Sequence, residues 1–186
     1  VQRVSVVTGE VETVLHGMSS CDGVRATPWG TILATDEAGP GGRAYAIIEP
    51  RGTTGHWIAD PVTGDVRDGL SSSSVSATIV QRPRLGNFSW EGLAILPSGV
   101  VIAGDELNPG GGNEGGAIFK FIPATLRGRE AGIVSDLAQS PLASGTLYAW
   151  VGGSVSGETG QGTQRGVGRW IGPVDWDDPG DPNDLS

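Results

Sequence analysis

One cysteine, three phenylalanines and two tyrosines stand in a chain of 186 residues. A single thiol, Cys21, cannot close a disulfide within the chain, so cysteine usage leaves the redox compartment open. Lysine is confined to Lys120; the other basic residues are Arg, and any anion recognition has to use the planar guanidinium. Against 21 acids the 12 basic residues leave a net charge of −9. That balance supplies no basic stripe to neutralise phosphates along a strand, so no nucleic-acid partner is expected and cations are favoured instead. No apolar run approaches the ~20 residues that a membrane helix requires, and no membrane partner is expected. The chain has no GxSxG elbow, HExxH or P-loop, and His16 and His56 lack the spacing of a zinc pair. It opens at Val1 in strand-like VQRVSVV with no Met or signal segment, which predicts a processed protein or a fragment.

What is present is glycine and proline. Thirty-two Gly and 12 Pro beside 37% apolar residues describe tight turns joining short elements around a real core. The reading is an all-β chain of one domain or a little more.

Residues 20 to 37, SCDGVRATPWGTILATDE, return 69 positions later as SWEGLAILPSGVVIAGDE at 89 to 106. Seven positions are identical, and most others trade like for like, as in Asp22 for Glu91 and Ile32 for Val101. In each copy Pro, a variable residue and Gly separate two strand-like runs, which predicts strand, tight turn, strand. The second run, ILA or VVIA, lacks clean alternation and reads as a strand buried on both faces. Glycine-rich loops follow, AGPGG at 38 to 42 and LNPGGGNEGG at 107 to 116, each leading to a third strand, RAYAIIEP or AIFKFIP. For the outer strand the first unit offers 55 to 60 or 75 to 82, and the second offers 131 to 137. A third unit is expected to start at GTLYAWV, and residues 3 to 15 read as a hairpin around Thr8 and Gly9.

Repeated four-strand units that cannot bury their faces alone predict a β-propeller. Residues 1–172 are assigned to a partial propeller, with units near 20–88 and 89–144 and the start of another near 145. Residues 173–186 read as an acidic, Pro-rich tail or inter-blade loop.

Hairpin geometry then concentrates acid. Pairing about Trp29 and Ser98 sets Cys21 opposite Glu37, Asp22 opposite Asp36, Trp90 opposite Glu106 and Glu91 opposite Asp105; a slip of one residue keeps all of them at the same end. Six carboxylates and one thiol at one channel mouth either raise their pKa values or hold cations. Carboxylates suit Ca²⁺, whereas a thiolate among them calls for a transition metal such as iron or zinc. The plainer readings are a buried, inert Cys21 and solvated turn acids. SSSS at 71 to 74 reads as a flexible loop. Arginines 25, 43, 82, 84, 127, 129, 165 and 169 are candidate anion ligands that nothing local ranks.

The segment CDGVRATPWGTILATDE resembles the PhoX-type alkaline phosphatases of bacteria, and SWEGLAILPSGVVIAGDE, GGAIFKFIP, SGTLYAWV and RWIGP follow the family's order over most of residues 20 to 172. Departures from the family pattern lie at CDGV and ATDE. The resemblance implies a six-bladed propeller, of which this chain covers roughly half, in an exported (periplasmic or secreted) bacterial enzyme that hydrolyses phosphate monoesters. It implies a site of Fe³⁺ and Ca²⁺, with Cys21 and Glu37 as iron ligands, Glu91 as a bridging carboxylate, and Asp105 and Glu106 as calcium or outer groups. Cys21, Glu37 and Glu91 are then the residues nearest the chemistry. A phosphate-binding Arg would come from later blades, a monomer is expected, and half a ring alone is expected to be inactive. The competing readings are a calcium-dependent propeller hydrolase such as a lactonase, and a non-catalytic propeller binding module.

Overall fold

The computed structural model describes residues 1–107, 116–128, 131–151 and 168–174. Among them the chain is all-β, and its only helices are single 3₁₀ turns of three residues. The strands are β1 (Gln2–Val4), β2 (Val11–Thr13), β3 (Leu15–His16), β4 (Cys21–Ala26), β5 (Ile32–Asp36), β6 (Ala44–Ile47) and β7 (His56–Asp60), then β8 (Asp65–Arg67), β9 (Ile79–Gln81), β10 (Trp90–Ile95), β11 (Val101–Asp105), β12 (Ile118–Pro123), β13 (Gly145–Val151) and β14 (Arg169–Val174).

The repeated phrase forms the first hairpin of two antiparallel sheets, β4-β5-β6-β9 and β10-β11-β12-β13-β14. Its turns are the same in both. Thr27 N–H donates to Thr31 O and Leu96 N–H to Val100 O, both at 2.8 Å. Gly30 and Gly99 close these turns at φ +80° and +91°, in the left-handed region that a side chain disfavours. The invariant Pro-x-Gly of the two copies is the sequence of that turn.

Register follows the expected pairing near the turn and departs from it at the far end. Val24 faces Ala34 and Leu93 faces Ala103, as symmetric pairing about the turn demands. Cys21 then faces Asp36 and Trp90 faces Asp105, one residue off the pairing read from the sequence. A β-bulge in each first strand absorbs the difference, at Asp22-Gly23 opposite Thr35 and at Glu91-Gly92 opposite Gly104. Bulges re-aim the side chain that they carry. At the first, a Cβ on Gly23 would sit 2.3 Å from Thr35 Oγ1, so glycine is required by close approach.

The first sheet is buried on both sides along β5, as the ILA run predicts, whereas β11, expected to be the same from VVIA, alternates buried and half-buried because only one of its faces meets another sheet. Alternation along β5 and β6 sends Ala34, Tyr45 and Ile47 into a core shared with Leu15, Ile58 and Val66 of a three-stranded sheet, β3-β7-β8. The opposite face sends Leu33, Ala44 and Ile48 against Leu93, Val101, Phe119 and Phe121 of the second sheet. Each fully buried side chain of this size contributes roughly 1.5–3 kcal/mol, so the repeats hold one another. Trp90 anchors the junction, 1% exposed and stacked on Phe88 at 4.2 Å, with Phe119 4.7 Å beyond.

One open choice is decided and two strand assignments change. Residues 75–82 supply the outer strand of the first sheet as β9, while 56–60 join β3 and β8 in a separate sheet. Residues 131–137 form no strand; Asp136 and Ser140 there cap two 3₁₀ turns through bonds to Ala138 N and Leu142 N. GTLYAWV, expected to open a third unit, pairs with β12 as the second sheet's fourth strand, and β14 adds a fifth. The N-terminal hairpin is present as β1–β2, closed by an Arg3–Glu12 ion pair. Among the described residues there are several sheets, and none is closed into a barrel or ring.

Candidate metal centre

Where the two repeats meet, three carboxylates converge. Glu37 from the first repeat and Glu91 and Glu106 from the second bring one carboxylate oxygen each within 4.8 Å of the others. Glu37 and Glu106 follow the last residues of β5 and β11 and are equivalent positions of the phrase, whereas Glu91 is the acid carried by the second bulge.

The backbone beneath them is tied at Ser89. Its N–H donates to Asp105 Oδ1 at 3.0 Å, its carbonyl accepts from Glu106 N–H at 2.9 Å, and its hydroxyl accepts from Gly39 N–H at 2.9 Å. Ser89 also forms an isolated antiparallel bridge with Glu37, so one residue fixes both repeats' glutamates. Ser20, its counterpart, accepts from Glu37 N–H at 2.9 Å in the same way. Sequence reasoning weighed the acids of the phrase and passed over its opening Ser; its identity in both copies was the signal.

Neighbouring acids raise the pKa values of two of the three carboxyls, Glu37 and Glu91. The Glu37 pKa is raised chiefly by a side-chain hydrogen bond with Glu106 and by its charge. The Glu91 pKa is raised first by the charge of Asp22, then by desolvation and by Glu106 and Glu37. Asp22, the acid of the first bulge, is thus a fourth negative charge beside the triad.

The remaining expected ligands stand outside this group. Asp105 is half-buried with Oδ1 accepting from Ser89 and Leu107 N–H, at 3.0 and 3.1 Å; burial raises its pKa while those bonds lower it. It holds the loop that carries Glu106. Cys21 lies on the sheet face of its partner Asp36 and is exposed, contrary to the reading of a buried, inert thiol. Desolvation of its sulfur raises its pKa, and Asp36 and Asp22 push in the same direction. Asp36, only 3% exposed, has an Oδ1 without a partner, and burial pushes its carboxyl up to about 6.

The arginines serve mainly as tethers. Arg25 Nε donates to Leu93 O at 3.1 Å, joining β4 to β10, and Arg43 donates to Pro40 and Gly42 carbonyls. Arg82 is buried and donates to Leu137 O at 2.5 Å, with burial lowering its pKa to about 10. Arg127 bonds to the Ala131 and Gly132 carbonyls and lies over Trp29. Arg84 and Arg169 are exposed, while Arg129, Arg165 and most of the NPGGGNEGG loop lie outside the described residues. A cavity of about 540 Å³, lined within residues 125–144, opens near the turn glycines Gly30 and Gly99, at the other end of the hairpins from the glutamates.

Three carboxylates without a thiolate form a hard, all-oxygen donor set that could hold a metal ion. No family model, curated protein or solved structure matches the chain.

Proposed function

We propose that Glu37, Glu91 and Glu106 hold a hard divalent cation of the Ca²⁺ class, and that this centre belongs to a metal-dependent phosphomonoesterase built on stacked propeller blades. The observation that carries the reading is the approach of the three carboxylate oxygens within 4.8 Å across two repeats. Carboxylates this close repel one another, and a cation removes that repulsion while keeping all three ionised. The propeller reading draws on the stacking: sheet one lies between two others, and the face that the second sheet turns toward it is equivalent to the face that sheet one turns toward β3-β7-β8.

Phosphate monoesters are anionic and would be repelled by the bare triad with Asp22 beside it. A bound cation supplies charge neutralisation and polarisation of a phosphoryl oxygen. The chain's own groups then have distinct parts. The triad fixes the cation, the bulge at Glu91 aims one carboxylate into it, and Ser89 and Asp105 keep the backbone from relaxing away. The Fe³⁺ of the sequence reading, with Cys21 as its ligand, needs donors outside the triad.

A second reading draws on the same junction. Because the ligands come from both repeats, a cation there would tie blade to blade and need no turnover, as in a binding or structural module. Metal content and p-nitrophenyl phosphate turnover, both measured on the complete protein with all its blades, separate the two. The enzyme reading expects chelator-sensitive hydrolysis that falls at least tenfold in Glu91→Gln, whereas stoichiometric Ca²⁺ with no hydrolysis selects the structural reading.

A further inference from the structure

The cavity at the turn end of the hairpins has a charge make-up unlike that of the chain as a whole. It measures about 540 Å³, a size that admits a small organic molecule. Leu126, Ile133 and Val134 give its wall an apolar part, and Arg127, Gln139 and Ser144 supply hydrogen-bond donors. Among the described residues no Asp or Glu lines it, in a chain with 21 acids against 12 basic residues. Asp136, nearby in sequence, turns its Oδ1 to Ala138 N–H at 2.8 Å.

Two guanidinium groups stand there without a counter-charge. Arg127 donates through Nη2 alone to Ala131 O and Gly132 O and lies over the Trp29 ring, so its partners are neutral. Arg82 sits behind the wall, 7% exposed, and donates to the carbonyl of Leu137, the residue before Ala138. Its Nε has no partner, and among the described residues no carboxylate pairs with it. Trp29, 1% exposed beneath Arg127, carries a further N–H without a partner, at Nε1. A buried charge with no counter-ion is costly, and its field reaches the adjoining space little damped by water.

We propose that this cavity binds a small organic anion, with its carboxylate or phosphoryl group on the Arg127 guanidinium and its apolar body against Leu126, Ile133 and Val134. The planar guanidinium offers such a group a two-point fork. An anion seated there also offsets the field of Arg82, an advantage that a neutral molecule of the same shape lacks. The site is separate from the glutamate centre, which lies at the opposite end of the hairpins and repels anions unless a cation fills it.

Calorimetric titration of benzoate and of phenylphosphonate into the whole chain tests this. One saturable site is expected for at least one of the two anions, and which of them binds more tightly identifies the head group. Benzyl alcohol, neutral and of the same shape as benzoate, is expected to bind at least tenfold more weakly than the preferred anion. Gln139→Glu, an isosteric change at an exposed position of the wall, is expected to weaken the anion at least tenfold by charge repulsion, with unchanged circular dichroism. Arg127→Gln is expected to weaken it as much, and CaCl₂ to leave its affinity unchanged. Saturable binding of neither anion, equal binding of benzyl alcohol, affinity indifferent to both substitutions, or anion binding that appears only with CaCl₂ overturns the proposal.

Discussion

Glu37 and Glu106 occupy the same place in two copies of one phrase, and their carboxylate oxygens come within 4.8 Å of each other across the junction of the repeats. Carboxylates this close repel when both are ionised, so the pair is at ease in acid and strained when both lose their protons. The Glu37 and Glu91 pKa values are raised in the folded chain, above an ordinary value of 4.5. Their contribution to stability is therefore fully present below that value and lost as pH rises through the folded pKa. Millimolar CaCl₂ is expected to change Tm little at pH 4 and to raise it by several degrees at pH 8, since a ligand at a hundred times its Kd adds about 2.7 kcal/mol. Thermal melts against pH, with and without CaCl₂, check this.

Asp36 is predicted to destabilise the fold at neutral pH. Its pKa moves from 3.8 to about 6 through burial, so protonated Asp36 supports folding below pH 4 and that support disappears as pH passes 6. Asp36→Asn keeps the shape and removes the charge. Denaturant titrations are expected to show the variant equal to wild type at pH 4 and more stable by on the order of 2 kcal/mol at pH 8.

Cys21 faces Asp36 and stands outside the glutamate group, so Cys21→Ala is expected to bind Ca²⁺ within about twofold of wild type. Iodoacetamide labelling of the wild type is expected to proceed more slowly at pH 8 than for a free thiol, because the raised pKa lowers the thiolate fraction. Calorimetric titration and mass spectrometry read the two effects.

Ser89→Ala removes the acceptor for Gly39 N–H and leaves the main-chain bonds to Asp105 and Glu106 in place. The expected cost is about 1 kcal/mol of stability, with a several-fold loss in Ca²⁺ affinity because the loop after Glu37 loosens. Loss of stability with unchanged affinity would separate Ser89 from the site.

The repeat made much of this legible from sequence. Pro-x-Gly gave the turn, ILA gave a strand buried on two faces, and the shared Asp-Glu placed acid at one end; VVIA, read the same way, is buried on one face only. The two bulges escaped because symmetric pairing counts one residue against one. Yet an acid followed by Gly inside a strand, Asp22-Gly23 and Glu91-Gly92, is the pattern of an extra residue. That one-residue shift separates Cys21 from Glu37 and turns Glu91 toward Glu106. The first sheet's outer strand stayed an open choice between 55–60 and 75–82 for another reason. Short runs such as His56–Asp60 and Ile79–Gln81 are alike in composition, and only packing decides which one pairs with β6.

Calorimetric titration of Ca²⁺ into the wild type and into Glu37→Gln, Glu91→Gln and Glu106→Gln tests the central claim most directly. The account predicts one saturable site whose affinity falls at least tenfold in each of the three variants and is retained in Cys21→Ala. Binding that survives all three substitutions, or that disappears only with Cys21, would contradict a cation centre built by the junction of the two repeats.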